Sequence, residues 1–235
     1  MRRLVLFLAL SLTACLELPP QTADRPPAEG TSAPVYSPQE AARAFTEVSR
    51  AVAPRAIEEC RRRTRDVNCD FRIVVDPDPR APVNAFQSVD EDGRPVLTFT
   101  ASMIATVRNP DELAFVMGHE AAHHIQGHLN RQAQNAAAGA AIFAELATLT
   151  GGNEAAVEDA QKIGAVVGAR SYSKEFELEA DELGTIITSR AGYNPIVGAA
   201  FFSRLPDPGD RFLGTHPPNA ERVEIVRRTA AQVGF

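Results

Sequence analysis

No apolar run in this chain of 235 residues is long enough to cross a bilayer as a helix. A spanning helix needs about 20 consecutive apolar residues. The run 4–12 falls short, and the Ala-rich stretch 136–150 is also short and carries Glu145. Positive charge is scarce as well: 24 Lys and Arg face 30 Asp and Glu, a net −6. That balance argues against a nucleic-acid partner, because phosphate binding needs a basic surface. The local exception, Arg61-Arg62-Arg63-Thr64-Arg65, reads as a solvated loop. Only three cysteines are present, too few for a disulfide-dense scaffold. No internal repeat is visible, so the chain does not read as a stacked array.

What is present begins with a leader. Arg2 and Arg3 precede the apolar run, and Leu12-Thr13-Ala14-Cys15 follows it. A basic start, a short apolar core and small residues read as a secretory signal. The tetrapeptide resembles a bacterial lipobox, in which the Cys is lipidated and heads the mature chain. An ordinary signal peptide with an incidental Cys is the alternative. Acyl chains on Cys15 would tether the protein to a membrane without spanning it. Leu16 stands where an Asp would resemble an inner-membrane retention signal, which points to the outer membrane. The expected organisation is a signal peptide over 1–14, a lipidated Cys15 with a flexible Pro-rich tether over 15–36, and one domain over 37–235. Loss of the leader removes Arg2 and Arg3 but no acid, which takes the net charge from −6 to −8. In an oxidising compartment Cys60 and Cys69 are most simply a disulfide closing a short loop. A soft metal site is the other option, weakened by the lack of a nearby His.

Ser37, Pro38 and Glu40 form a helix-start signature. It predicts a helix to about Arg50 and a second one from after Pro54 to about Arg63. Strands are expected over 71–75, 83–88 and 95–100, with Asp92-Gly93 as a turn. Asn109, Pro110 and Glu112 open the next helix, whose stretch 113–117 is apolar all round and therefore reads as buried. Further helices are expected over about 130–149, 154–167, 173–190, 195–204 and 218–232. The sum is an α+β domain, mostly helical, with one small β-sheet.

The chemistry sits on the buried helix. His119-Glu120-Ala121-Ala122-His123 places two imidazoles four residues apart, on one helical face, where both can bind one metal ion. Glu120 then points to a position beside that metal, where it can take a proton from a bound water. A hydrolytic zinc site needs a third protein ligand. Candidates lie in 175–181, where Glu177 and Asp181 are again four apart. Glu177 can bind the metal while Asp181 hydrogen-bonds a ligand imidazole. Taken alone, the same segment reads as a solvated acidic face. His124 and His128 are also four apart, but His124 lies well off the line through His119 and His123. They read as a solvated face or a buried hydrogen bond, with a second surface metal site as the alternative.

With these residues in place, the chain resembles the gluzincin metallopeptidases of the HtpX and CAAX-prenyl-protease type. Several other stretches match in order: Asn84-Ala85-Phe86, Gly127-His128, Tyr172-Ser173, Ala191-Gly192-Tyr193-Asn194-Pro195 and Thr215-His216-Pro217. The lipobox and the lack of membrane helices make it most similar to the periplasmic lipoprotein branch, whose relatives include BepA and LoiP. It departs from the pattern at Lys174, where the family usually has Arg, and no TPR module follows the peptidase domain. The resemblance implies a zincin-type fold, with the sheet beside the active-site helix. It also implies one Zn2+ per chain on His119, His123 and Glu177, and Glu120 as general base. His216 is the candidate donor to the carbonyl oxygen, with Tyr172 as the alternative. His216 can instead occupy the fourth zinc position in a resting state. The strand at Asn84, Ala85 and Phe86 is expected to pair with an extended substrate.

The expected function is a zinc metalloendopeptidase acting on misfolded or misassembled envelope proteins. Its expected place is the periplasm, held to the outer membrane by a lipid anchor only, with an assembly-machinery partner possible. Two rivals stand beside it. One is a non-proteolytic chaperone or assembly lipoprotein with a structural or latent zinc site. The other is a structural domain without metal.

Overall fold

A computed structural model describes residues 36–207, 209, 214 and 216–235. The leader, Cys15 and the tether up to residue 35 lie outside the described residues.

The first helix, α1 (Pro38–Arg63), opens with a complete capping box. The Ser37 hydroxyl accepts from the Glu40 N–H at 3.3 Å, and the Ser37 N–H donates to the Glu40 carboxylate at 2.8 Å. The helix does not stop at Pro54 but runs through it, so the expected pair of helices is one. Tertiary burial explains the difference. Val48, Val52, Ala56 and Cys60 recur every four residues and are fully or almost fully buried, while Pro54 faces solvent. The missing N–H therefore falls on the wet side, where water can satisfy the freed carbonyl. The arginines at the end of α1 are exposed as expected, but Arg61, Arg62 and Arg63 belong to the last turn of the helix and not to a loop. Arg62 and Arg63 pair with Glu59, which is completely buried, and Arg190 reaches the same carboxylate.

Three strands follow: β1 (Arg72–Asp76), β2 (Ala85–Val89) and β3 (Pro95–Thr100). Their order is β1-β3-β2, with β3 in the centre, parallel to β1 and antiparallel to β2. Gly93, at φ +73°, makes the turn between β2 and β3. On β3 the alternate residues Pro95, Leu97 and Phe99 are buried, the period of a strand with one face on the core. Phe99 meets Phe45 of α1 edge-on at 5.4 Å. Burying one such side chain contributes about 1.5–3 kcal/mol.

A short helix, α2 (Ala101–Thr106), extends directly from β3 and had no sequence signal of its own length. Next comes α3 (Pro110–Ile125), capped by Asn109, whose side chain accepts from the Glu112 N–H at 2.9 Å. Every residue from Glu112 to Ala122 is buried, as its apolar circumference required. Two long helices then form a hairpin, α4 (His128–Leu149) and α5 (Glu154–Arg170). Their backbones touch at glycines: a Cβ on Gly139 would stand 2.1 Å from the Gly164 carbonyl oxygen. Among the described residues no helix is long and apolar enough to cross a membrane.

The chain closes with α6 (Ser173–Arg190), α7 (Pro195–Ala199), a 3-10 turn (Ala200–Arg204) and α8 (Asn219–Val233). Helix α6 lies close along α3 because both carry glycine at the crossing. A Cβ on Gly184 would stand 2.9 Å from the His119 nitrogen, and one on Gly118 2.9 Å from the Gly184 oxygen. This approach sets the distance between the side chains the two helices offer each other. The result is a mostly helical α+β domain with a small sheet beside α3.

Candidate active site

Helix α3 presents His119 and His123 on one face, one turn apart, as their spacing requires. Their Nε2 atoms are 3.0 Å apart. Across the α3–α6 crossing, Glu177 brings Oε2 to 3.5 Å from His119 Nε2 and Oε1 to 3.3 Å from His123 Nε2. These three residues are the one His/Cys/Asp/Glu group among the described residues placed to hold a metal ion. The spacing is a test of fit. Tetrahedral donors on metal bonds of about 2.0–2.1 Å lie roughly 3.3–3.4 Å from one another. The three separations cluster around that value, so the donors fit a small tetrahedral ion with one position left open.

The His119 imidazole is also held from behind. Asp181, one turn after Glu177 on α6, places Oδ1 2.9 Å from His119 Nδ1. That carboxylate keeps the hydrogen on Nδ1 and leaves the Nε2 lone pair free for a metal. Asp181 is completely buried and needs a cation, which α8 supplies. Arg222 grips it in bidentate fashion, Nε to Oδ2 at 2.7 Å and Nη2 to Oδ1 at 2.8 Å. The guanidinium lies 3.7 Å over the Phe202 ring and 3.4 Å from Glu177 Oε2. Arg222 was missed by sequence reasoning. A signal existed: Arg222, Val226, Thr229 and Ala230 are the buried stripe of α8, and a cation on such a stripe needs a buried acid.

Proton affinities follow from this packing. Burial opposes a charge on His119, but hydrogen bonds to Asp181 and Glu177 outweigh it and raise its pKa to about 10. Burial likewise works against a charged Glu177, yet hydrogen bonds from His119, His123 and His216 hold it well below the usual carboxylate range. Without a metal the carboxylates of Glu177 and Asp181 are thus balanced by Arg222 and a protonated His119 ring, and a metal cation on Nε2 would take that ring proton's place.

Around these groups lies a cleft of about 430 Å³. Its lining includes His119, Glu120, His123, Glu177, His216, Arg222 and the β2 segment with Asn84, Ala85 and Phe86. Glu120 and both metal-facing histidines therefore share one cavity. His216 is 55% exposed and brings Nδ1 to 3.1 Å from Glu177 Oε2. Tyr172, the alternative donor, is exposed and is not part of the lining. Asn84 is tied to the end of β3: its N–H donates to Thr100 Oγ1 at 3.1 Å, and its carbonyl accepts from the Thr100 N–H at 3.0 Å. β2 is an edge of the sheet.

His124 and His128 do not form a second metal site. Gly127, at φ +68°, ends α3 and starts α4, so the helical period does not carry from one histidine to the other. His124 donates from Nε2 to the Asn68 carbonyl at 2.7 Å and meets Phe71 edge-on. His128 turns inward, only 4% exposed, with Nδ1 2.8 Å from His123 Nδ1. Burial first, with the charges of His123 and Arg131 adding to it, lowers its pKa to about 4 despite the hydrogen bond to Glu179. Cys60 and Cys69 are joined as a disulfide, Cα to Cα 5.8 Å, which excludes the soft metal site.

Comparison with known proteins gives a family match over most of the chain. The model described as peptidase family M48 matches residues 43–230. The "Putative beta-barrel assembly-enhancing protease" of Vibrio cholerae is 33% identical over 139 residues, which are 53% of this chain and 28% of that protein. The mitochondrial metalloendopeptidase OMA1 of Saccharomyces cerevisiae is 28% identical over 168 residues, 67% of this chain and 46% of that protein. The chain thus spans less than half the length of either of these curated relatives.

Proposed function

This chain belongs to peptidase family M48, and from that premise we propose that it is a zinc-dependent endopeptidase for misfolded or misassembled envelope proteins. The observation that carries the reading is the convergence of His119, His123 and Glu177 at tetrahedral spacing in one cleft with Glu120. Two imidazoles, one carboxylate and an open position suit a catalytic zinc. When bound, zinc would supply Lewis-acid polarisation of a water molecule and of the scissile carbonyl.

The remaining steps belong to the chain's own residues. Glu120 takes a proton from the attacking water and returns it to the leaving amine. His216 donates to the carbonyl oxygen as negative charge grows there. Its 3.1 Å approach to Glu177 supports the role and equally supports a resting state in which it caps the open position. Asp181, held by Arg222, keeps the Nδ1 hydrogen on His119. The edge strand β2 offers backbone groups along the cleft for an extended peptide at Asn84, Ala85 and Phe86.

Substrate class and place rest on the names of the relatives and on the leader motif. One relative is named for beta-barrel assembly and the other for mitochondrial endopeptidase activity. Together with the lipobox at Cys15 they support a peptidase domain over 37–235. It would be tethered through lipid at the periplasmic face of the outer membrane, after loss of 1–14. The test uses the mature protein loaded with one equivalent of zinc and an unfolded polypeptide such as reduced casein. The wild type should cleave it. Glu120→Gln should keep its zinc and lose about 10²–10⁴-fold in rate. Zinc-loaded wild type that cuts no unfolded chain would overturn the proposal. Full function of Glu120→Gln in cells would point instead to a non-proteolytic assembly role.

A further inference from the structure

His119 has an obvious support in Asp181, but among the described residues no carboxylate is placed against the far nitrogen of His123. His128 stands there instead. The Gly127 turn swings it back over the end of α3, and its Nδ1 lies 2.8 Å from His123 Nδ1. Two ring nitrogens at that distance share one hydrogen. Which ring owns it follows from the other end of His128. There, Nε2 lies 3.1 Å from Glu179 Oε2. Glu179 is already matched in charge by Arg131, which binds it through Nη1 at 2.5 Å and Nη2 at 3.2 Å. A carboxylate only accepts, so His128 carries its hydrogen on Nε2. A second hydrogen on His128 would add an uncompensated cation to a buried ring. Its Nδ1 is then a lone pair, and the shared hydrogen sits on His123 Nδ1. When a metal takes the place of any hydrogen on Nε2, His123 then presents that nitrogen's lone pair to the position it shares with His119 and Glu177.

The support is rigid. The His128 ring stacks on Phe176 with centroids 4.7 Å apart and planes 9° apart, and the Arg131 guanidinium lies 4.3 Å from the Phe176 ring centroid. Phe176 precedes Glu177 on α6, so one helix sets both the third metal donor and the platform under His128.

We propose that His128 is the positioning residue for His123. It accepts the Nδ1 hydrogen, selects the tautomer that presents Nε2 to the metal, and is itself oriented by Glu179, Arg131 and Phe176. This rests on the metal-site reading above.

The experiment measures zinc affinity of the metal-free protein by competition with a chromogenic chelator. His128→Phe keeps a ring on Phe176 and removes the acceptor. Its affinity should fall about 10–100-fold, the usual cost of losing a partner behind a ligand. His128→Asn places an amide oxygen near the lost Nδ1 and should bind within about threefold of wild type if an acceptor is all that is required. Equal affinity of His128→Phe and wild type would overturn the inference, as would an Asn variant as weak as the Phe variant. A wild type that binds no zinc would overturn the metal reading itself, which keeps the two failures distinct. Nitrogen-15 spectra of wild-type imidazoles test the same point without any variant. They should show His123 protonated at Nδ1 and His128 at Nε2; the opposite tautomer of His128 would refute it.

Discussion

Asp181 and Arg222 show how much one residue pair carries behind the site. Asp181 is 0% exposed and Arg222 6%, so neither charge can be left to water. Their two hydrogen bonds and the Phe202 ring beneath Arg222 make the pair self-sufficient. Breaking it from one side leaves a buried carboxylate beside Glu177, which is also negative. Arg222→Met should therefore lower unfolding stability by about 3–5 kcal/mol. Urea titration of the metal-free protein measures this. A loss under about 1 kcal/mol would show that Asp181 finds another partner. Asp181 was legible in the sequence because it lies one turn from Glu177. Arg222 was not, because its acid lies 41 residues away on another helix.

At the scale of elements, the site depends on how closely α6 approaches α3. Gly184 lies two turns after Glu177 on the same helix and packs on the His119 backbone, with space for no Cβ. Gly184→Val should push α6 outward. The expected cost is about 1–3 kcal/mol in stability, and zinc affinity should fall because Glu177 moves with the helix. Equilibrium zinc competition on the folded variant checks the second part; unchanged affinity would mean that Glu177 is positioned independently of this contact. The helix starts at Ser37 and Asn109 were readable as local capping chemistry. The passage of α1 through Pro54 was not. A local rule breaks the helix there, while the buried series Val48, Val52, Ala56 and Cys60 holds it together.

At the scale of the whole molecule, the disulfide ties the end of α1 to the segment leading into β1. It closes a loop with a sequence separation of 9. Loop-closure entropy for that length is worth about 2.5–3 kcal/mol. The double variant Cys60→Ala/Cys69→Ala should lose roughly that amount, read as a lower unfolding midpoint in a denaturant titration. No change in midpoint would mean that the helix–strand junction holds without the link. The same junction carries the Asn68 carbonyl that receives His124, so the crosslink also braces the end of the helix that carries His119 and His123.

By itself the sequence determined what repeats within a turn or two of chain. That covers two imidazoles on one face of a buried helix, a Glu between them, a Glu and an Asp one turn apart, and the Asn109 cap that starts the first of those helices. Helical geometry alone relates such residues, so spacing is enough. Only the tertiary structure decided which face meets which. It brought His128 to Glu179 across 51 residues and Arg222 to Asp181 across 41. It also decided, between the solvated face and the buried hydrogen bond that the sequence left open for His128, in favour of the buried contact with His123. Those contacts are set by burial and by close helix approach at Gly118 and Gly184, which no local period encodes.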